Sequence, residues 1–166
     1  MSSVVGNVVK VGMADLKLAK PPQTIRTSGL GSCVGIIMYD DRLRISGMAH
    51  IMLPDSTFAR SGQLNRAKYA DTAITDLLEN LLEQGASKYR MKAKIAGGAQ
   101  MFKFSSSNEA TRIGPRNVEA VKRILADANV PIMFEDVGGN SGRTIEFDPE
   151  SSVLEIRTVN KGVIQA

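Results

Sequence analysis

Between positions 64 and 83 the chain carries Ala67, Ala70, Ile74, Leu77, Leu78, Leu81 and Leu82 at three- and four-residue spacing, with Asp71, Asp76, Glu79 and Asn80 off that stripe. This is a helix that must lay one face on an apolar surface, and Gly85 after it suits the left-handed position that closes a helix. The surface it needs is offered by runs that read as strand. Residues 34–39 are β-branched and apolar, 44–52 form a second such run, and Asp40-Asp41-Arg42-Leu43 between them is polar enough to turn the chain into a hairpin. Further strands are expected at 4–10, 13–18, 91–96, 130–137, 143–147 and 152–159, with a stop at Pro21-Pro22. A second helix is expected over 115–128, with Pro115 in its first turn and Val118, Val121, Ile124 and Leu125 on its apolar side. Strands around two main helices predict an α/β layered sandwich with a mixed, largely antiparallel sheet. No internal repeat or linker divides residues 1–166, which read as one domain whose last few residues fray.

Composition narrows the function. The chain is long enough to bury a core without disulfides, and its single cysteine cannot form an internal one. A net charge of +4 permits an acidic partner, yet no cluster of Lys and Arg is interleaved with aromatics, which argues against nucleic acid. Neither a secretory signal nor a membrane-length apolar stretch is present, so the expectation is a cytoplasmic protein without membrane insertion. A reducing compartment also suits a free thiol.

That thiol is Cys33, in Thr27-Ser28-Gly29-Leu30-Gly31-Ser32-Cys33-Val34-Gly35, and the only histidine is His50. A nucleophilic thiol needs a base, and an imidazole can take its proton and pair with the thiolate. Glycines around the cysteine let backbone N–H groups approach a developing oxyanion. A lone cysteine before Val-Gly-Ile-Ile-Met is, however, more often a small buried apolar residue. If the hairpin turn is centred between Asp41 and Arg42, Cys33 falls directly opposite His50 on one face of the sheet. Thr27 reads as a turn residue or as a hydroxyl bracing the imidazole. Residues 54–62, with Phe58 and Arg60, form a polar loop that can wall a cleft, and 105–110 are a second loop. Gly97-Gly98 lacks the Lys-Ser/Thr of a phosphate loop, while Met101, Phe102 and Phe104 are candidate contact anchors.

Gly29-Leu30-Gly31-Ser32-Cys33-Val34 and His50-Ile51-Met52-Leu53-Pro54 resemble the signature of the chemoreceptor glutamine deamidase family, CheD. The likeness continues through Lys68-Tyr69, Gly97-Gly98-Ala99-Gln100-Met101-Phe102, Ile113-Gly114-Pro115-Arg116-Asn117-Val118 and the run from Asp136 to Arg143. The resemblance implies a catalytic triad of Cys33, His50 and Thr27, with no cofactor or metal. It implies hydrolysis of glutamine side-chain amides on methyl-accepting chemotaxis receptors, with release of ammonia through a cysteine thioester. It also implies association with the chemotaxis phosphatase CheC. Two rivals stand beside it: a cysteine peptidase, which uses the same acyl-enzyme chemistry, and an adaptor whose cleft is regulatory.

Overall fold

A computed structural model describes residues 7–59, 64–100 and 112–166. The candidate anchors Met101, Phe102 and Phe104, the loop 105–110, residues 4–6 of the first expected strand and residues 60–62 lie outside them. Among the described residues the strands divide between two five-stranded sheets. The first runs in the order β1 (Val8–Lys10), β3 (Thr24–Leu30), β8 (Arg143–Asp148), β9 (Val153–Thr158), β10 (Gly162–Gln165). The second runs β2 (Asp15–Ala19), β5 (Ile45–Ile51), β4 (Val34–Asp40), β6 (Lys92–Gly97), β7 (Ile132–Val137). Each sheet is mixed and largely antiparallel, with one parallel pair, β1 with β3 and β6 with β7. The two main helices are α1 (Ala70–Glu83) and α2 (Ile113–Asp127).

The second sheet is the middle layer. On one face Val34, Ile36, Met38, Ala49 and Ile51 pack with Ile74, Leu77 and Leu81 of α1 and Val121 and Leu125 of α2. On the other, Ile37, Tyr39, Met48 and Ala96 meet Ile25, Leu30, Ile145, Phe147 and Ile156 of the first sheet. Every residue of β4 and β5 is therefore buried, which is why these strands read as continuous apolar runs. The first sheet is covered on one face only, and β8 alternates buried with half-buried positions.

Three local expectations are revised. The helix expected from 64 begins at Ala70, because Tyr69 is held extended by a parallel bridge to Leu53, with Met52 and Leu53 N–H donating to the Lys68 carbonyl and Ala70 N–H to that of Leu53. Residues 24–30, for which no strand is expected, form β3. The tail expected to fray contributes β10, paired antiparallel with β9 from Gly162 to Gln165.

Candidate active site

The chain crosses from the first sheet to the second between Leu30, the end of β3, and Val34, the start of β4. On β3, Thr27 stands opposite Ile145 and Leu30 opposite Arg143, with the register slipping between them. Gly29 absorbs that slip at φ +73°, a conformation that would strain any side chain. Cys33 follows just before β4 and packs in the layer between the sheets with Leu30 and Ile37.

The hairpin forms, but its register differs from the expected one: Gly35 stands opposite His50, and Val34 opposite Ile51. The turn is residues 41–44, closed by the Asp40–Ile45 pair, one position later than the sequence suggested. Its position is set by Asp40, whose carboxylate accepts from the N–H groups of Arg42, Leu43 and Ser87 and from Arg90 Nε and Nη2, while Arg44 takes a left-handed φ of 57°. Burial alone would raise the Asp40 pKa; the guanidinium and the three N–H groups outweigh it and hold the value at about 2. The displacement amounts to two residues of pairing, so Cys33 keeps the face of His50 and stands diagonal to it. Between them on β4, Gly35 leaves room for sheet one: a Cβ there would lie 2.7 Å from Ile145 Cδ1 and 3.2 Å from Leu30 Cδ1.

His50 and Thr27 meet across the two sheets, Thr27 Oγ1 lying 2.7 Å from His50 Nδ1 and 2.8 Å from the Val11 carbonyl oxygen. A hydroxyl has one proton, and a carbonyl can only accept. The Thr27 proton therefore goes to Val11, and the Thr27 oxygen accepts from His50 Nδ1–H. That assignment leaves Nε2 as the unprotonated nitrogen, and it is buried without a hydrogen-bond partner among the described residues. His50 is 1% exposed, Thr27 2% and Cys33 7%, so the pair is sealed while the cysteine keeps a small open edge. No hydrogen bond joins the sulfur to Nε2. Burial pushes the Cys33 thiol up, partly countered by its own N–H, and pushes the His50 imidazole down, so both shifts favour the neutral thiol and neutral imidazole at rest over a thiolate–imidazolium pair.

The backbone before Cys33 is held from one side. The Gly31 carbonyl accepts from Ala99 N–H, the Ser32 carbonyl from Asn117 Nδ2 and the Cys33 carbonyl from Gly98 N–H. In planar trans peptides the N–H groups that follow point the opposite way. Among the described residues neither Ser32 nor Cys33 N–H donates to another backbone carbonyl. Gly98 is required here, since at φ +69° its Cβ would lie 2.2 Å from Val118 Cγ2. Asn117 was not singled out by the sequence reading, although an amide on the stripe that continues to Val121, Ile124 and Leu125 was a usable signal. Pro54 and Asp55, from the expected cleft wall, line a separate cleft of about 460 Å³ with Arg112, Arg116 and Arg123, away from the thiol, imidazole and hydroxyl.

His50 is the only histidine, which makes a pH test clean. Above the ordinary imidazole pKa of about 6.5, folded and unfolded chains are both neutral at this group; below it the unfolded chain takes a proton that the buried ring resists. Stability is thus full above that value and falls as pH drops toward the depressed folded pKa. Urea midpoints measured from about pH 7 to pH 5 should decline in the wild type and stay nearly flat in His50→Gln.

Fold and site together define a class: a layered α/β protein in which an oriented histidine and a free cysteine share one interlayer space. The chain belongs to the CheD family, described as CheD chemotactic sensory transduction, whose model matches residues 52–158. It is 61% identical over 156 residues to the chemoreceptor glutamine deamidase CheD of Halalkalibacterium halodurans, covering 94% of this chain and 96% of that one. With the protein of the same name from Bacillus subtilis it shares 56% identity over 98% of each chain. A Lachnoclostridium phytofermentans protein called a probable chemoreceptor glutamine deamidase is 55% identical over 94% of this chain and 96% of its own. No helix among the described residues is long and apolar enough to cross a membrane.

Proposed function

We propose that the chain is a protein-glutamine deamidase that converts glutamine side chains of chemoreceptors to glutamate in the cytoplasm, with Cys33 as nucleophile, His50 as acid and base, and Thr27 as the group that orients the imidazole. The observation that carries this reading is the Thr27–His50 bond, which leaves Nε2 free as a base on the face it shares with Cys33. The names of the full-length relatives supply the substrate class.

In the proposed reaction, sulfur attacks the side-chain carbonyl carbon as His50 Nε2 takes the thiol proton, so no standing thiolate is required. The N–H groups of Ser32 and Cys33 hold the oxyanion. The C–N bond then breaks, the imidazolium gives its proton to the leaving nitrogen, and ammonia departs. Water attacks the thioester with Nε2 as base, and the product carboxylate leaves as the thiol is restored. Thr27 accepts from Nδ1–H throughout, which suits a ring cycling between neutral and protonated forms.

A peptidase would use the same acyl-enzyme, and the relatives' names favour the side-chain amide. Mass analysis of a receptor cytoplasmic fragment after incubation separates the two. Amide-to-acid conversion at unchanged chain length is the expected result; backbone cleavage would replace this reading with the peptidase. Association with the phosphatase CheC is part of the proposal on the strength of the family resemblance, and binding of purified CheC to the Cys33→Ala protein tests it apart from catalysis.

A further inference from the structure

We infer that Asn117 is a positioning residue for the reaction, setting the separation between the cysteine segment and the end of the histidine strand. The inference rests on the deamidase reading for its chemistry and on separate geometry for its placement. The β4–β5 ladder stops at the Val34–Ile51 pair. The pair that would come next is Cys33 with Met52, and there the strands part, with Met52 and Leu53 N–H both donating to the Lys68 carbonyl. Asn117 bridges the opening. Its Nδ2 donates to the Ser32 carbonyl and to the Met52 carbonyl, each at 3.0 Å, spending both amide protons on the residue before the nucleophile and the residue two beyond the base.

The bridge has a firm seat. A Cβ on Gly114, three residues earlier in α2, would lie 2.3 Å from the Ala99 carbonyl oxygen, and Ala99 and Gly98 N–H hold the Gly31 and Cys33 carbonyls. Helix, cysteine segment and histidine strand are thereby locked to one another. Packing alone does not account for an amide in this place. Asn117 is fully buried and its Oδ1 has no partner among the described residues, whereas an aliphatic side chain of similar volume would fill the space without leaving a polar atom unpaired. The amide belongs here for its two donors.

The test uses Asn117→Ala and the near-isosteric Asn117→Asp, whose buried carboxyl, kept protonated, retains one donor. Two readouts are taken on the full chain. For ammonia release from a receptor fragment, kcat should fall on the order of 10²-fold in Asn117→Ala, as for a reacting group misplaced by about 1 Å, and less in Asn117→Asp, with KM within about threefold. For alkylation of Cys33 by iodoacetamide across pH, the component that His50→Ala removes from the wild type should also disappear in Asn117→Ala. Loss of stability with a wild-type alkylation profile, or a raised KM at unchanged kcat, would overturn the assignment. The alkylation arm needs no receptor: a wild type that fails to release ammonia would defeat the deamidase reading, while the alkylation profile would still decide whether Asn117 sets the thiol against the imidazole. If Asn117→Ala does not fold, Asn117→Asp is read by the same criteria.

Discussion

Cys33→Ala lowers ammonia release from a receptor fragment by on the order of 10⁴- to 10⁶-fold, the loss seen when the nucleophile of a triad is removed. The fold should survive. The substitution deletes one sulfur from a residue at the margin of the interlayer core, 7% exposed and without a disulfide, so stability should change by no more than about 1–2 kcal/mol. Activity and stability measured on the same preparation therefore separate a chemical role from a packing role. If Cys33 merely fills space, both quantities move together and slightly. If the protein is an adaptor, the wild type itself releases no ammonia, and partner complexes are the same for both proteins.

Thr27→Val should cost on the order of 10²- to 10³-fold in kcat with KM little changed. The side chain keeps its shape but loses the oxygen that accepts from His50 Nδ1–H, so the imidazole no longer has a reason to keep its proton on Nδ1. The proton can then move to Nε2, the nitrogen that has to be bare to accept from sulfur. An imidazole left in the wrong tautomer by loss of a carboxylate partner costs about 10⁴-fold in a serine protease; a neutral hydroxyl contributes less charge stabilisation and its loss should cost less. Thr27→Ser preserves the oxygen and should retain most of the activity. Activity retained in the valine variant and lost in the serine variant would show that the methyl group, not the hydroxyl, is what matters at this position.

The sequence made much of this plain for identifiable physical reasons. Helices showed themselves through spacing, because α1 and α2 each bury one stripe against the middle sheet. The hairpin showed itself through two apolar runs, since β4 and β5 are covered on both faces. β3 stayed hidden because a polar contact interrupts its pattern: the inward position 27 holds a hydroxyl bonded to His50 where a sheet-packing residue would have been apolar. The hairpin register was also out of reach, since it depends on Asp40 being captured by Ser87 and Arg90, 47 and 50 residues further along the chain. The pairing of Cys33 with His50 on one face survived that error only because the displacement was even; a displacement of one would have put the two groups in different layers. Division into two sheets was equally illegible, as it follows from where the chain crosses between Leu30 and Val34. Asn117 could have been noticed as the one amide on an apolar stripe, yet its partners at Ser32 and Met52 are a matter of tertiary geometry alone.

The proposed reaction requires a covalent bond between Cys33 and the substrate glutamine. Wild-type protein mixed with excess receptor fragment and quenched in acid during turnover should show, by intact mass, a species equal to protein plus fragment minus ammonia, with the attachment at Cys33 by peptide mapping. Amide conversion proceeding at full rate with no such species, and persisting in Cys33→Ala, would contradict it.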